Sequence, residues 1–313
     1  MSDLLEQPRL AVESIAGLRP YQEDAVLSET LPDGRTLIAV ADGMGGHAAG
    51  EVASALALET LSDAVKQGQA LDDAFRLANE RVNLQARDPG KLGMGTTLVA
   101  MLLDGDSYQI ANVGDSRCYV VDGDGARRIT EDHSFVTEAI KRGQSEDQAM
   151  ASQWKDVLTR CIGTEAEVEV DLFGPFHVDP DTAILLCSDG LHKVLSDEDL
   201  SGIFANSGGP RGAAQSLVAN AYEAGSDDNI SVVIAEFGEV PRDRPAGTIP
   251  IEYDPPDEAD APEAPASQAG PTPSAAAASG SEVHTRSRST MAAIVTVVVL
   301  VVVGVIAFVV LGG

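Results

Sequence analysis

Aromatic residues make up only 4% of this 313-residue chain, and basic residues are outnumbered by acidic ones, 21 against 49. The formal net charge of −28 excludes a general nucleic-acid binder, because phosphate backbones are held by clustered Lys and Arg. Cysteine is nearly absent as well. Cys118, Cys161 and Cys187 are odd in number, far apart and without a CxxC spacing, which excludes a disulfide framework, a zinc knuckle and a redox pair. They read as small buried hydrophobes in a reducing compartment. The start, Met1-Ser2-Asp3-Leu4-Leu5-Glu6-Gln7, lacks the basic flank and apolar core of a secretory signal, so the N-terminal part is expected in the cytoplasm.

Large apolar residues are also missing from one long stretch. Residues 241–290 are rich in Pro, Ala, Ser, Gly, Asp and Glu, a composition that cannot bury enough surface to offset ordering entropy. The expectation is a disordered linker. Residues 291–311 follow, 21 positions of Val, Ile, Leu, Ala and other uncharged residues. As a helix they would span about 32 Å, the thickness of a bilayer core. Arg286 and Arg288 precede this run, and positive charge on that side places the preceding domain in the cytoplasm. The sequence therefore predicts a globular domain over 1–240, a tether, and a single-pass C-terminal transmembrane helix in the cell membrane.

What is abundant in residues 1–240 is alternation. Strand patterns fall at 10–15, 36–41, 97–103, 108–113, 117–121, 168–172, 183–187 and 230–237, and a further strand is expected after Asp24. Helical periodicity covers 48–66, 71–86, 135–142 and 210–223. Asp33-Gly34, Asp104-Gly105 and Asp122-Gly123 lie between neighbouring strand patterns and predict antiparallel hairpins. The class is α+β, and no repeat of solenoid period is present.

Two other Asp-Gly pairs differ. Asp42-Gly43 and Asp189-Gly190 each end a strongly apolar run and lead into helix-like sequence. Each places a carboxylate at the end of a buried strand, where a charge needs a partner. Glu23-Asp24, Asp115 and Asp227-Asp228 add three further acidic sites at strand boundaries. Five such sites with few basic neighbours point to a shared cation. Hard carboxylate oxygens select Mg²⁺ or Mn²⁺ rather than zinc.

In order along the chain stand Arg19, Glu23 and Asp24, then Asp42-Gly43-Met44-Gly45-Gly46-His47, Gly93-Met94-Gly95-Thr96-Thr97 and Asn112-Val113-Gly114-Asp115-Ser116-Arg117. Cys187-Ser188-Asp189-Gly190-Leu191 and Asp227-Asp228-Asn229-Ile230 complete the series. Across residues 8–238 this resembles the bacterial branch of the metal-dependent type 2C (PPM) serine/threonine protein phosphatases. The resemblance implies a central antiparallel β-sandwich flanked by helices, in four α-β-β-α layers, with two Mn²⁺ or Mg²⁺ ions at one end. Asp42 would bridge them, Asp189 and Asp228 would complete the first site, and the Gly43 carbonyl would serve the second. Glu23 and Asp24 would hold metal-bound waters, Asp115 would join a weaker third site, and Arg19 would grip the substrate phosphate. The implied reaction is in-line attack by a metal-bridging hydroxide on phosphoserine or phosphothreonine. The implied partners are Ser/Thr kinases and their phosphorylated substrates at the membrane. The alternative is a pseudophosphatase or regulatory binding module of a membrane-associated assembly, against which the full carboxylate set argues.

Arg six residues after a cysteine is absent, which argues against the cysteine-dependent phosphatases. His47 reads as a cap or packing residue, His133 as a loop organiser, Ser116 and Ser188 as hydrogen-bonding supports, and Thr96 and Thr97 as braces. Residues 134–155 correspond to the flap that such enzymes carry beside the site. Two positions depart from the pattern. Met44 stands where many animal members have a histidine assigned as general acid, leaving the proton donor open. Lys193 stands where many relatives have an aspartate of the third metal site. Its ammonium either competes with a cation near Asp115 or faces solvent.

Overall fold

In the computed structural model, residues 7–46, 48–238 and 240 are described. Expectations for His47, the linker at 241–290 and the membrane helix at 291–311 lie outside them. Among the described residues no helix is long and apolar enough to cross a membrane.

The chain begins with β1 (Arg9–Ile15), β2 (Asp24–Thr30) and β3 (Thr36–Met44), then α1 (Ala48–Lys66) and α2 (Leu71–Gln85). Five strands follow: β4 (Gly95–Thr96), β5 (Leu98–Asp104), β6 (Ser107–Val113), β7 (Arg117–Asp122) and β8 (Gly125–Arg128). Short helices α3 (Phe135–Lys141) and α4 (Glu146–Met150) precede β9 (Asp171–His177) and β10 (Thr182–Cys187). Then come α5 (Asp189–His192), α6 (Asp197–Ala205), α7 (Pro210–Glu223) and β11 (Ile230–Phe237).

These strands form two antiparallel sheets. One has the order β1-β11-β10-β7-β8; the other runs β2-β3-β5-β6-β9, with β4 added beside β3. The three predicted Asp-Gly hairpins join β2 to β3, β5 to β6 and β7 to β8.

Alternation sorts the side chains into layers. From β3, Leu37, Ala39 and Ala41 meet α1 and α2, while Ile38 and Val40 face the opposite sheet. From β11, Ile230, Val232 and Ile234 meet the α5–α7 side, while Val233, Ala235 and Phe237 enter the space between sheets. Both faces of the central strands are thus covered, which is why β11 is buried along its whole length. The result is the expected four-layer α-β-β-α sandwich.

Several elements differ from the sequence reading. The strand expected at 168–172 runs instead over Asp171–His177. Val168 and Val170 pack against the α1–α2 core rather than join the ladder, and the edge position tolerates Pro175 without losing a ladder bond. The strand expected at 97–103 begins at Leu98, and Thr97, whose hydroxyl accepts from Asp42 N–H, separates it from the short β4. Helices α4 and α6 were not anticipated, although Ser145 with Gln148 and Ser196 with Asp199 form capping boxes that mark their starts.

Candidate active site

The sheet registers bring the acidic residues to one end of the sandwich. Asp24 opposes Asp42 across β2 and β3. Cys187 opposes both Arg117 on β7 and Val232 on β11, so Asp189 just beyond it lies near Asp115 and Asp228 just before those strands. A cleft of about 760 Å³ opens there, lined by Arg19, Glu23, Asp42, Gly43, Asp115, Asp189 and Asp228 among others. Asp24 alone of the expected site residues is set behind the cleft wall, buried and accepting a 2.7 Å hydrogen bond from the Ser188 hydroxyl.

Each carboxylate is positioned through its backbone. The Asp42 N–H donates to the Thr97 hydroxyl at 2.9 Å, and the Asp42 carbonyl accepts from Thr97 N–H and the Thr96 hydroxyl, both at 2.9 Å. The Ser116 hydroxyl in turn lies 2.7 Å from that of Thr97. The expected bracing roles of Thr96, Thr97, Ser116 and Ser188 therefore have definite partners.

Gly43 packs so closely on α1 that a Cβ there would lie 2.2 Å from the Gly50 carbonyl oxygen, so only glycine fits. Gly190 is equally constrained, since its Cβ would meet the Asn229 carbonyl oxygen at 2.0 Å. That contact locks the Asp189 turn to the Asp228 turn. Asn229, absent from the expected site, is the hinge pin of this corner. Its side chain accepts from Glu23 N–H at 2.8 Å and donates to the carbonyls of Ala16 and Tyr21 at 2.9 Å.

Asp115 sits between half-buried His192 and buried His133. His192 Nε2 lies 2.9 Å from the Asp115 carbonyl, so this nitrogen carries the proton. His133 Nδ1 accepts from Gly114 N–H at 3.0 Å, and its Nε2 faces Asp171 at 3.2 Å. His133 thus orders the loop as expected. His192 was missed, because a lone histidine in a short helix carries no sequence signal of what it touches. The segment just after the expected flap, residues 156–161 with Thr164, Glu165 and 167–169, also lines the cleft.

Burial dominates the electrostatics, and crowding of like charges adds to it. Burial, and then the neighbouring Asp189 and Asp228, push the Asp24 carboxyl up to about 7 against the hydrogen bonds from Ser188 and Ser231. Burial and the surrounding aspartates raise Asp42 well above the carboxylate range. Asp115 is pushed up to about 7 by burial and Asp189, although Lys193 opposes this. Burial and Asp189 raise Asp228 too. Burial and nearby Arg117 lower His192 to about 4, which keeps the ring neutral.

Two cations approach this acidic ring. Arg19 Nη2 pairs with Asp228 Oδ2 at 2.8 Å, and Lys193 pairs with Asp189 Oδ2. With Asp189 and Asp228 turned onto these cations, no three His, Cys, Asp or Glu side chains among the described residues converge as a ready-made metal cage. The ring nevertheless fits a hard divalent cation. Asp24 Oδ1 and Asp189 Oδ1 are buried and have no hydrogen-bond donor, and buried carboxylate oxygens need compensation. The available donors are the oxygens that Mg²⁺ and Mn²⁺ prefer.

A four-layer sandwich with a carboxylate-lined cleft at one end is the arrangement that the resemblance to the 2C phosphatases implies. The profile of the Protein phosphatase 2C family matches residues 20–220. The serine/threonine phosphatase stp of Listeria welshimeri is 40% identical over 217 residues, covering 65% of this chain and 85% of that protein. The solved serine/threonine phosphatase of S. agalactiae superposes with a TM-score of 0.67 at 30% identity, over 73% of this chain and 99% of that one. The catalytic domain of the phosphatase PstP, solved in complex with two manganese ions, gives 0.63 at 31% identity, over 74% and 99%. The chain belongs to the protein phosphatase 2C family and is a serine/threonine protein phosphatase.

Proposed function

We propose that this enzyme hydrolyses phosphoserine and phosphothreonine in proteins with two Mn²⁺ or Mg²⁺ ions, opposing Ser/Thr kinases at the cytoplasmic face of the cell membrane. The observation that carries the metal assignment is the acidic cleft itself, with two buried carboxylate oxygens lacking donors behind and within it. Asp42 would bridge the ions, Asp189 and Asp228 would complete one site, and the Gly43 carbonyl would serve the other. Glu23 and Asp24 would act through water, and Asp115 would belong to a weaker third site. When bound, the ions supply a nucleophile at neutral pH by acidifying water and offset the charge of the phosphate.

The chain's own groups do the rest. Arg19 offers a guanidinium suited to two phosphate oxygens. Its Nε already donates to the Asp227 carbonyl and its Nη2 to Asp228, both at 2.8 Å. These two bonds use only two of its five N–H donors, so Nη1 and the second Nη2 hydrogen can grip two phosphate oxygens while Arg19 stays docked on Asp228. Met44 lines the cleft and has no ionisable proton to give, so protonation of the leaving oxygen falls to another group.

Residues 291–311 would anchor the enzyme as a single-pass helix, and residues 241–290 would tether it with a coil reach of roughly 40 Å. The uncharged 21-residue run with Arg286 and Arg288 before it supports this placement. The deciding experiment measures phosphate release from a phosphothreonine peptide with Mn²⁺, with Mg²⁺ and with EDTA. Activity should require the cation, and Asp42→Asn or Asp189→Asn should lower kcat at least about 100-fold. Wild-type turnover by Asp42→Asn at saturating metal would falsify the two-ion assignment.

A further inference from the structure

Lys193 follows α5 one turn after Asp189, and the geometry of that turn settles which carboxylate its ammonium meets. The Lys193 N–H donates to the Asp189 carbonyl at 3.0 Å, so backbone and side chain both return to the same residue. The Nζ pairs with Asp189 Oδ2, so of the two sequence readings, an ammonium at the acidic site or one facing solvent, the first holds, with Asp189 as the direct partner and Asp115 nearby. This is not a surface pair of little consequence. The Asp189 side chain is only 10% exposed, whereas that of Lys193 is 45% exposed, so the ammonium reaches inward from the cleft rim and can leave by the same route. Asp189 Oδ1 stays buried and without a donor. Lys193 lines the same cleft as Asp42, Asp115 and Asp228. The other basic groups of that wall are engaged elsewhere, Arg19 with Asp228 and Arg160 with Asp171.

We propose that Lys193 is a tethered counter-cation of the acidic centre, which stabilises the metal-free protein through Asp189 and competes with divalent metal for that carboxylate. The proposal rests on the metal-dependent reading of the cleft. A covalently held ammonium acts at an effective concentration no free ion needs to match, so it favours the folded protein when metal is scarce. The same charge repels an incoming dication, and its displacement subtracts from metal affinity. Mn²⁺ loading should therefore be weaker than the acidic ring alone would give.

The test uses the full-length protein and its Lys193→Met and Lys193→Arg variants. Methionine keeps the length and apolar stem of the side chain without charge, and arginine keeps the charge. Calorimetric titration with Mn²⁺ alone should show Lys193→Met binding about tenfold tighter, the factor that one pK unit of interaction represents, or taking up one ion more. In EDTA the same variant should melt at a lower temperature than wild type. Lys193→Arg should stay near wild type in both measurements. Unchanged Mn²⁺ binding and unchanged EDTA melting in Lys193→Met overturn the proposal. Weaker binding in Lys193→Met overturns it in the other direction, making Lys193 a residue that orients Asp189 for the metal. No Mn²⁺ heat from either wild type or Lys193→Met overturns the metal-dependent reading itself and the proposal with it.

Discussion

Asp24 and Asp42 are direct partners in the antiparallel register of β2 and β3. Residues directly opposite each other present their side chains on one face of the sheet, so two carboxylates are forced together at a buried sheet corner. After burial, the Asp24 charge is the largest contribution raising Asp42. The Ser188 hydroxyl partly relieves Asp24 on one oxygen and leaves the other without a donor.

Asp24→Asn should make this repulsion visible. In the unfolded chain Asp24 ionises near 3.8, but in the native protein near 7. Between those values the native state holds the extra proton, so wild-type stability without metal falls as pH rises through that window and levels off above it. Asparagine removes this loss. Relative to wild type in EDTA, Asp24→Asn should gain stability from pH 4 to pH 8, by at most about 4 kcal/mol. With saturating Mn²⁺ the advantage should shrink or reverse. Urea denaturation at several pH values checks this, and a difference independent of pH would refute the assignment.

Thr97→Val keeps the shape of the side chain and strips the oxygen that accepts from Asp42 N–H. It also strands the Ser116 hydroxyl in a buried pocket. The expected cost is about 1–3 kcal/mol in stability. A fall in kcat should accompany it, because the peptide that carries Asp42 loses its anchor. Thr97→Ser should recover most of both, and equal damage from Val and Ser would assign the effect to packing.

His192 should act through Asp115. Gln can still donate to the Asp115 carbonyl and Leu cannot. We expect His192→Leu to raise the Mn²⁺ concentration needed for half-maximal activity several-fold while leaving the peptide KM unchanged, with His192→Gln close to wild type. Metal titrations of activity at fixed peptide decide the matter. Parallel losses in both variants would make His192 a packing residue.

Truncation after Pro241 should give a soluble enzyme with wild-type activity on a phosphothreonine peptide. Val240 is 3% exposed and packs into the core beside α7, so the cut must fall beyond it. The full chain should sediment with membranes and the truncated one should not. Membrane association that survives truncation, or lost peptide activity, would refute the tether.

Legibility in the sequence followed the range of the forces involved. Short continuous apolar runs in the β3, β5, β10 and β11 segments located strands covered on both faces, and Asp-Gly pairs located three hairpins, because apolar runs and turn chemistry are local properties. Asp42 and Asp189 stood out as carboxylates ending apolar runs, and Asp228 as one opening the last strand, before any distance was known. Long-range packing decided the remainder. Nothing local says that Gly190 presses against the Asn229 carbonyl, that Asn229 ties Glu23 to the Asp228 turn, or that His192 reaches back to Asp115. Nothing in the composition places Asp24 behind the cleft wall while Glu23 lines it. Lys193 shows the division within one residue. Its presence beside Asp189 is a fact of sequence, but whether its ammonium meets Asp189, Asp115 or solvent depends on a helical turn docked at the mouth of a buried sheet. Only the folded chain fixes that.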